Sequence, residues 1–278
     1  MKKIIPYIKK YLRPALLVFF AAIFLISAGV LADYFINSNK QKGQFDELSN
    51  LVDKIQQEMN ASQGDGSSSA GSLSKYVEVT EPETGKKFMA LREYAEIYKM
   101  NSDMAGWIKI DGTNINYPVM HTPDQANYYL KRDFYKNSSR HGSIYAAESA
   151  NLTMPSDNIT IYGHKMADGT MFASLHKYQD KSFFDAHPLI QFDTLTEHHT
   201  YQISYVFIIS AAPDTDFAYH VFVDGSEKEF NDFIANCKSR ALYDTGSEIV
   251  YGDKLITLST CEHNVANGRL VVVARRIG

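Results

Sequence analysis

Residues 15–32 carry no charged side chain and consist mostly of Leu, Phe, Ile, Val and Ala, with Lys2, Lys3, Lys9, Lys10 and Arg13 before them and Asp33 after them. A helix of about 18 such residues is long enough to cross the hydrocarbon of a bilayer, and the basic flank predicts a cytoplasmic N-terminus. Val30-Leu-Ala32 resembles a small-residue cleavage site, so a cleaved signal peptide competes with an uncleaved anchor. The apolar stretch exceeds a usual signal core and favours the anchor; under both readings the remainder is exported. Beyond it, Phe45, Leu48, Leu51, Val52, Ile55 and Met59 share one helical stripe, as in a stalk or a packing helix. Residues 62–72 are rich in Gly and Ser and read as a flexible linker. The expected organisation is a basic cytoplasmic segment at 1–14, a transmembrane signal-anchor at 15–32, a stalk helix and linker at 33–75, and one folded domain at 76–278.

Within that domain, residues 87–100 have helical character. Residues 107–110, 115–119, 158–162, 189–192 and 200–209 predict strands separated by Gly, Pro, Asn and Asp turns. Short strands with few helices between them predict a mainly β domain with helices, in the α+β class, built on an antiparallel sheet or barrel instead of βαβ units. Near the end, Phe230, Phe233, Ile234 and Cys237 follow helical spacing, which makes Cys237 a core residue.

The last two apolar runs carry the candidate chemistry. Residues 254–261 and 269–275 predict adjacent antiparallel strands joined by a turn-rich connection, so Cys261 ends one strand where Arg269 begins the next. A near-opposite register would put a thiol beside a permanent positive charge, the setting in which cysteine acts as a nucleophile. A free cysteine is more often a small buried hydrophobe. Here Thr257 and Ser259 share the face of Cys261 while Ile256 and Leu258 point the other way, so a polar strand end in a cleft is expected.

A cysteine nucleophile needs a proton-transfer partner. Among the nine histidines, His164 follows the strand at 158–162 directly, where a strand end feeds a loop. His263 competes because it is two residues from Cys261, whereas His198 and His199 lie in a polar turn that solvation explains. No C-x-x-C pair and no H-E-x-x-H occurs, so neither a metal nor a cofactor is expected. The net charge of −4 supplies no basic field for nucleic acid.

With these residues in place, the chain resembles the sortases, cysteine transpeptidases of the outer face of Gram-positive bacteria. Thr257-Leu-Ser-Thr-Cys261 matches the family's TLxTC signature and Arg269 its strand-opening arginine. The segment from Ile161-Tyr-Gly-His164 to Met171-Phe172 is similar to the class B histidine segment, as are Gly106-Trp-Ile-Lys-Ile-Asp and the helical insertion before the cysteine strand. The resemblance implies an eight-stranded sortase barrel with an N-terminal helical extension. It implies Cys261 as nucleophile, His164 as general acid and base, and Arg269 as the group that holds the substrate carbonyl, with Ser259, Thr260 and Glu262 lining a substrate groove. Glu262 paired to Arg269 is the alternative for that carboxylate. The implied partners are surface proteins with a C-terminal sorting motif and a peptidoglycan or lipid-linked precursor amine. A pilus-type sortase, another cell-wall cysteine peptidase, and a non-enzymatic surface domain with Cys237 bridged to Cys261 are the competing readings.

Overall fold

The computed structural model describes residues 5–64, 73–212, 216–262 and 265–278. Two compact units divide the chain, residues 1–44 and 45–278. One helix, α1 (Ile5–Gly64), contributes to both and includes Pro14. In the first unit it contains a stretch that is long and apolar enough to cross a membrane by length and composition. In the second, Phe45, Leu48, Val52 and Met59 are buried, and the Phe45 ring meets the edge of Tyr117 at 5.2 Å. Of the two readings of the stripe, stalk or packing helix, the structure shows a packing face, and the compact unit begins at Phe45. Most of the Gly/Ser-rich linker lies outside the described residues.

The remaining elements are β1 (Tyr76–Thr80), β2 (Lys87–Leu91), α2 (Arg92–Met100), β3 (Met104–Lys109), β4 (Asn116–Met120), β5 (Ile144–Ala146), β6 (Asn158–Tyr162), α3 (Lys181–Ala186), β7 (Leu189–Thr194), β8 (Thr200–Ser210), α4 (Glu227–Arg240), β9 (Leu255–Glu262) and β10 (Gly268–Arg276). Residues 87–91 were expected to be helical but form β2, which pairs with β1 from Tyr76↔Leu91 to Thr80↔Lys87. Their side chains alternate, with Phe88 and Ala90 packed and Lys87 and Met89 exposed, so the pairing with β1 overrides the helical character and the helix starts only at Arg92.

Eight strands close a barrel in the order β10-β8-β7-β3-β4-β5-β6-β9. Most neighbours are antiparallel, but β4 runs parallel to β5 and β6 parallel to β9, so the barrel is mixed. Period-2 alternation fills its interior with Ile108, Val119, Ile161, Phe192, Ile203, Ile256, Leu258, Leu270 and Val272. On the outer face of β8, β9 and β10, a second cluster joins Tyr205, Phe207, Leu255, Val271 and Val273 to Phe230, Phe233 and Cys237 of α4. The amphipathic α4 starts at a capping box in which the Ser226 hydroxyl and the Glu229 backbone and carboxylate satisfy each other. Its Cys237 is a free, fully buried thiol, and burial raises its pKa far above the ordinary thiol value. It belongs to the core, as its spacing predicts.

Candidate active site

Strand β9 lies between β6 on one side and β10 on the other, which brings three sequence segments to one strand end. Across β10, Cys261 is the Cα partner of Arg269. On the β6 side, the Gly163 N–H donates to the Ser259 carbonyl at 3.2 Å, so the polar backbone groups of Ser259 point toward β6. Cys261 shares that parity, so Cys261 and Arg269 form a non-hydrogen-bonded antiparallel pair. In such pairs the Cα atoms lie only about 4.5 Å apart and the side chains stand closer than at hydrogen-bonded positions.

The face that carries the thiol is polar, and it is covered along the strand up to Ser259. Thr257 and Ser259 are buried; the Thr257 hydroxyl donates to Asn158 Oδ1 at 2.8 Å, and the Ser259 hydroxyl is 2.7 Å from the Tyr219 hydroxyl. Tyr219 arrives from a 3-10 turn at Tyr219–Val221 and covers the strand, leaving Cys261 half-buried at its end as a free thiol.

His164 reaches the same end from β6. Tyr162 pairs with Ser259 as the last rung of β6 on β9, and His164 follows it by two residues. Gly163 between them is closely packed: a Cβ there would sit 2.5 Å from Ile144 Cδ1 and 2.7 Å from the Phe172 ring, so one of these side chains would have to shift. The His164 ring is held by its Nε2, 2.7 Å from the Leu130 carbonyl. A carbonyl only accepts, so Nε2 carries a hydrogen and Nδ1 is the nitrogen left for proton exchange. The backbone N–H of Phe172 donates to the His164 carbonyl at 2.9 Å and closes the loop that follows.

Arg269 is half-buried, and its Nη1 donates to the Gly268 carbonyl at 2.9 Å. Three phenols share its surroundings. Burial raises the pKa of Tyr145, Tyr162 and Tyr219, and the positive charge of Arg269 pulls each of them back. The Tyr145 and Tyr162 rings lie 5.4 Å apart, and the Tyr145 hydroxyl donates to Asn127 Oδ1 at 2.8 Å. The sequence reading missed these rings. Tyr162 was findable, because it shares strand parity with His164; Tyr145 and Tyr219 carry no local signal.

The residues expected to line a groove are sealed: Ser259, Thr260 and Glu262 are each 2 % exposed. Ser259 is engaged by Tyr219, Thr260 has the parity of the interior-facing Leu258, and Glu262 turns its carboxylate to within 3.1 Å of His176 Nδ1. Glu262 is therefore committed to His176, a residue the sequence reading did not single out. His263 lies outside the described residues. His198 is exposed in its turn, as expected, and also bridges Asp193 at 2.8 Å and Glu93 at 3.3 Å, whereas His199 is buried. Among the described residues, no group of three or more His, Cys, Asp or Glu is arranged to hold a metal ion.

The family model for the sortase domain matches residues 108–277. Sortase B of Listeria monocytogenes is 33 % identical over 187 residues, covering 66 % of this chain and 74 % of that protein. Sortase B of Staphylococcus aureus is 31 % identical over 188 residues, covering 66 % and 75 % respectively. The solved S. aureus sortase B–substrate complex superimposes with a TM-score of 0.68 at 25 % identity, covering 87 % of this chain and 98 % of that one. Sortase B from B. anthracis in complex with AAEK1 gives 0.66 at 28 % identity, covering 87 % and 99 %. Fold and sequence agree, and the chain belongs to the sortase family of cysteine transpeptidases, most like its class B members.

Proposed function

We propose that this protein is a membrane-anchored transpeptidase that cleaves a C-terminal sorting motif on an exported protein and joins that protein to a cell-wall amine. Cys261 Sγ passes its proton to His164 Nδ1 and attacks a backbone carbonyl carbon of the motif. The C–S bond forms, the oxyanion is met by the Arg269 guanidinium, and the C–N bond breaks as His164 protonates the leaving amine. A thioester acyl-enzyme remains. An incoming amine then attacks it, His164 takes the amine's proton, the C–S bond breaks, and the proton returns to Sγ. The Leu130 carbonyl holds Nε2–H in both protonation states, so the transferred proton belongs to Nδ1. Arg269 is too basic to shuttle protons, so its role is charge stabilisation.

The observation that carries this reading is the convergence of Cys261, Arg269 and the His164 segment on the end of β9. Membrane attachment is supported by the apolar stretch of α1 and the basic residues before it, with the catalytic unit outside the cell. Mass spectrometry of products from a peptide library, with and without an amine acceptor, tests it. Cleavage at one motif is expected, with amide product appearing only when amine is present, and both lost in Cys261→Ala and His164→Ala. Cleavage that is unchanged in either variant contradicts the assignment.

A further inference from the structure

The carbonyl of the nucleophile's own residue has an unusual partner. Up to Ser259, the carbonyls of this strand parity point to β6 and are met by its backbone N–H groups, the last being Gly163. Strand β6 ends at Tyr162, so the next carbonyl of that parity, that of Cys261, lies beyond the rung made by Gly163. His176 takes it: Nε2 lies 2.9 Å from the Cys261 oxygen. Because that oxygen only accepts, Nε2 carries the hydrogen. The other ring nitrogen, Nδ1, faces the Glu262 carboxylate at 3.1 Å, the Gln179 amide at 3.0 Å and the Lys165 ammonium at 3.3 Å. Whether Nδ1 donates to Glu262 or accepts from Gln179 or Lys165, Nε2–H remains directed at Cys261.

Glu262 is on the opposite face of β9 from the thiol and is 2 % exposed, with Gln179 Nε2 a further 3.4 Å from its Oε2. A carboxylate rarely lies so deep without a partner it must orient. His176 comes from the 3-10 segment Ala173–Gln179, which follows the His164 loop closed at Phe172. One imidazole thereby ties the segment downstream of His164 to the backbone of Cys261.

We propose that His176, oriented by Glu262, is a positioning residue that fixes the end of β9 and hence the direction of the Cys261 thiol relative to His164 and Arg269. This rests on Cys261 acting as the nucleophile. A misplacement of the order of 1 Å in a reacting group reduces turnover by about 10- to 100-fold without removing any catalytic side chain.

The test uses the full chain, with His176→Ala, His176→Gln, Glu262→Gln and Cys261→Ala. The readouts are steady-state cleavage of the best library peptide, thermal unfolding, and alkylation of the resting thiol by iodoacetamide. His176→Ala is expected to lower kcat by about 10- to 100-fold with KM within about twofold, because the thiol is misaimed while binding persists. Alkylation, which needs no aligned histidine, is expected to stay within about threefold. His176→Gln, whose amide can still donate to the Cys261 carbonyl, is expected to recover most of the loss at similar thermal stability. Wild-type kcat in folded His176→Ala, a loss confined to KM, or a loss that tracks thermal stability and is not rescued by Gln would overturn the proposal. Should His176→Ala not fold, Glu262→Gln decides, with lowered kcat expected and wild-type kcat overturning it. Persistent cleavage by Cys261→Ala would instead remove the nucleophile assignment on which the inference stands.

Discussion

Cys261 and Arg269 are direct cross-strand partners at a non-hydrogen-bonded position, so the thiol and the guanidinium leave the barrel on the same outer face. In the proposed mechanism the planar fork of Arg269, whose Nη1 donates to the Gly268 carbonyl, supplies the donors for the oxyanion. Arg269→Lys keeps a charge but loses the fork. Its kcat is expected to fall about 100-fold or more, the range for losing an oxyanion donor, while KM changes less. Equal turnover in the Lys variant would show that charge alone suffices.

The setting of His164 depends on a glycine far from it in sequence. Gly142 has φ of 60°, and a Cβ there would sit 2.6 Å from the Leu130 oxygen, the atom that holds His164 Nε2, and 2.7 Å from that of Tyr129. Gly142→Ala is expected to lose about 1–2 kcal/mol of stability through the left-handed backbone and to lower kcat as the Leu130 carbonyl shifts. Gly85→Ala is the control: φ is 69° with nothing within 4 Å of the added Cβ, so stability drops but kcat does not. Chemical denaturation and steady-state kinetics on both variants separate the two effects.

Much of this arrangement is legible in the sequence because it is local. The β9–β10 pair, β6, α4 and the place of His164 at a strand end follow from period-2 or helical spacing and turn residues. Other parts depend on distant partners. Strand β5 has only three residues and gains its identity from β4 and β6; Tyr219 covers Ser259 from 40 residues away, and His176 meets Cys261 from 85. Alternation assigned Thr257, Ser259 and Cys261 to one face correctly but carried no information on what covers that face. That Thr257 and Ser259 form a buried polar seam before the half-buried Cys261 was not legible for that reason.

That seam makes a stability prediction. Tyr219→Phe removes the partner of the buried Ser259 hydroxyl and is expected to cost about 1–3 kcal/mol. Adding Ser259→Ala, which removes the stranded hydroxyl, should restore part of it. Urea unfolding of the single and double variants provides the cycle; strict additivity would mean that the two hydroxyls do not interact.

A pH-dependent term comes from His198, whose pKa is raised from its ordinary 6.5 mainly by its hydrogen bond to Asp193. The folded state therefore binds this proton more tightly than the unfolded one, so the stabilisation is complete below about 6.5 and is lost as pH rises through the raised folded value. The stability gap between wild type and His198→Gln should be widest in mildly acidic buffer and narrow toward alkaline pH. A gap that is constant or grows with pH would contradict the pairing.

The central claim is covalent, and trapping the intermediate tests it most directly. Intact-mass and peptide-mapping spectrometry of the enzyme after brief incubation with its best library peptide should find the N-terminal acyl fragment on Cys261. The adduct should be labile to hydroxylamine, as a thioester is, and discharged by an added amine to an amide product. No adduct on Cys261 in an enzyme that still cleaves, or cleavage that continues in Cys261→Ala, would contradict the account.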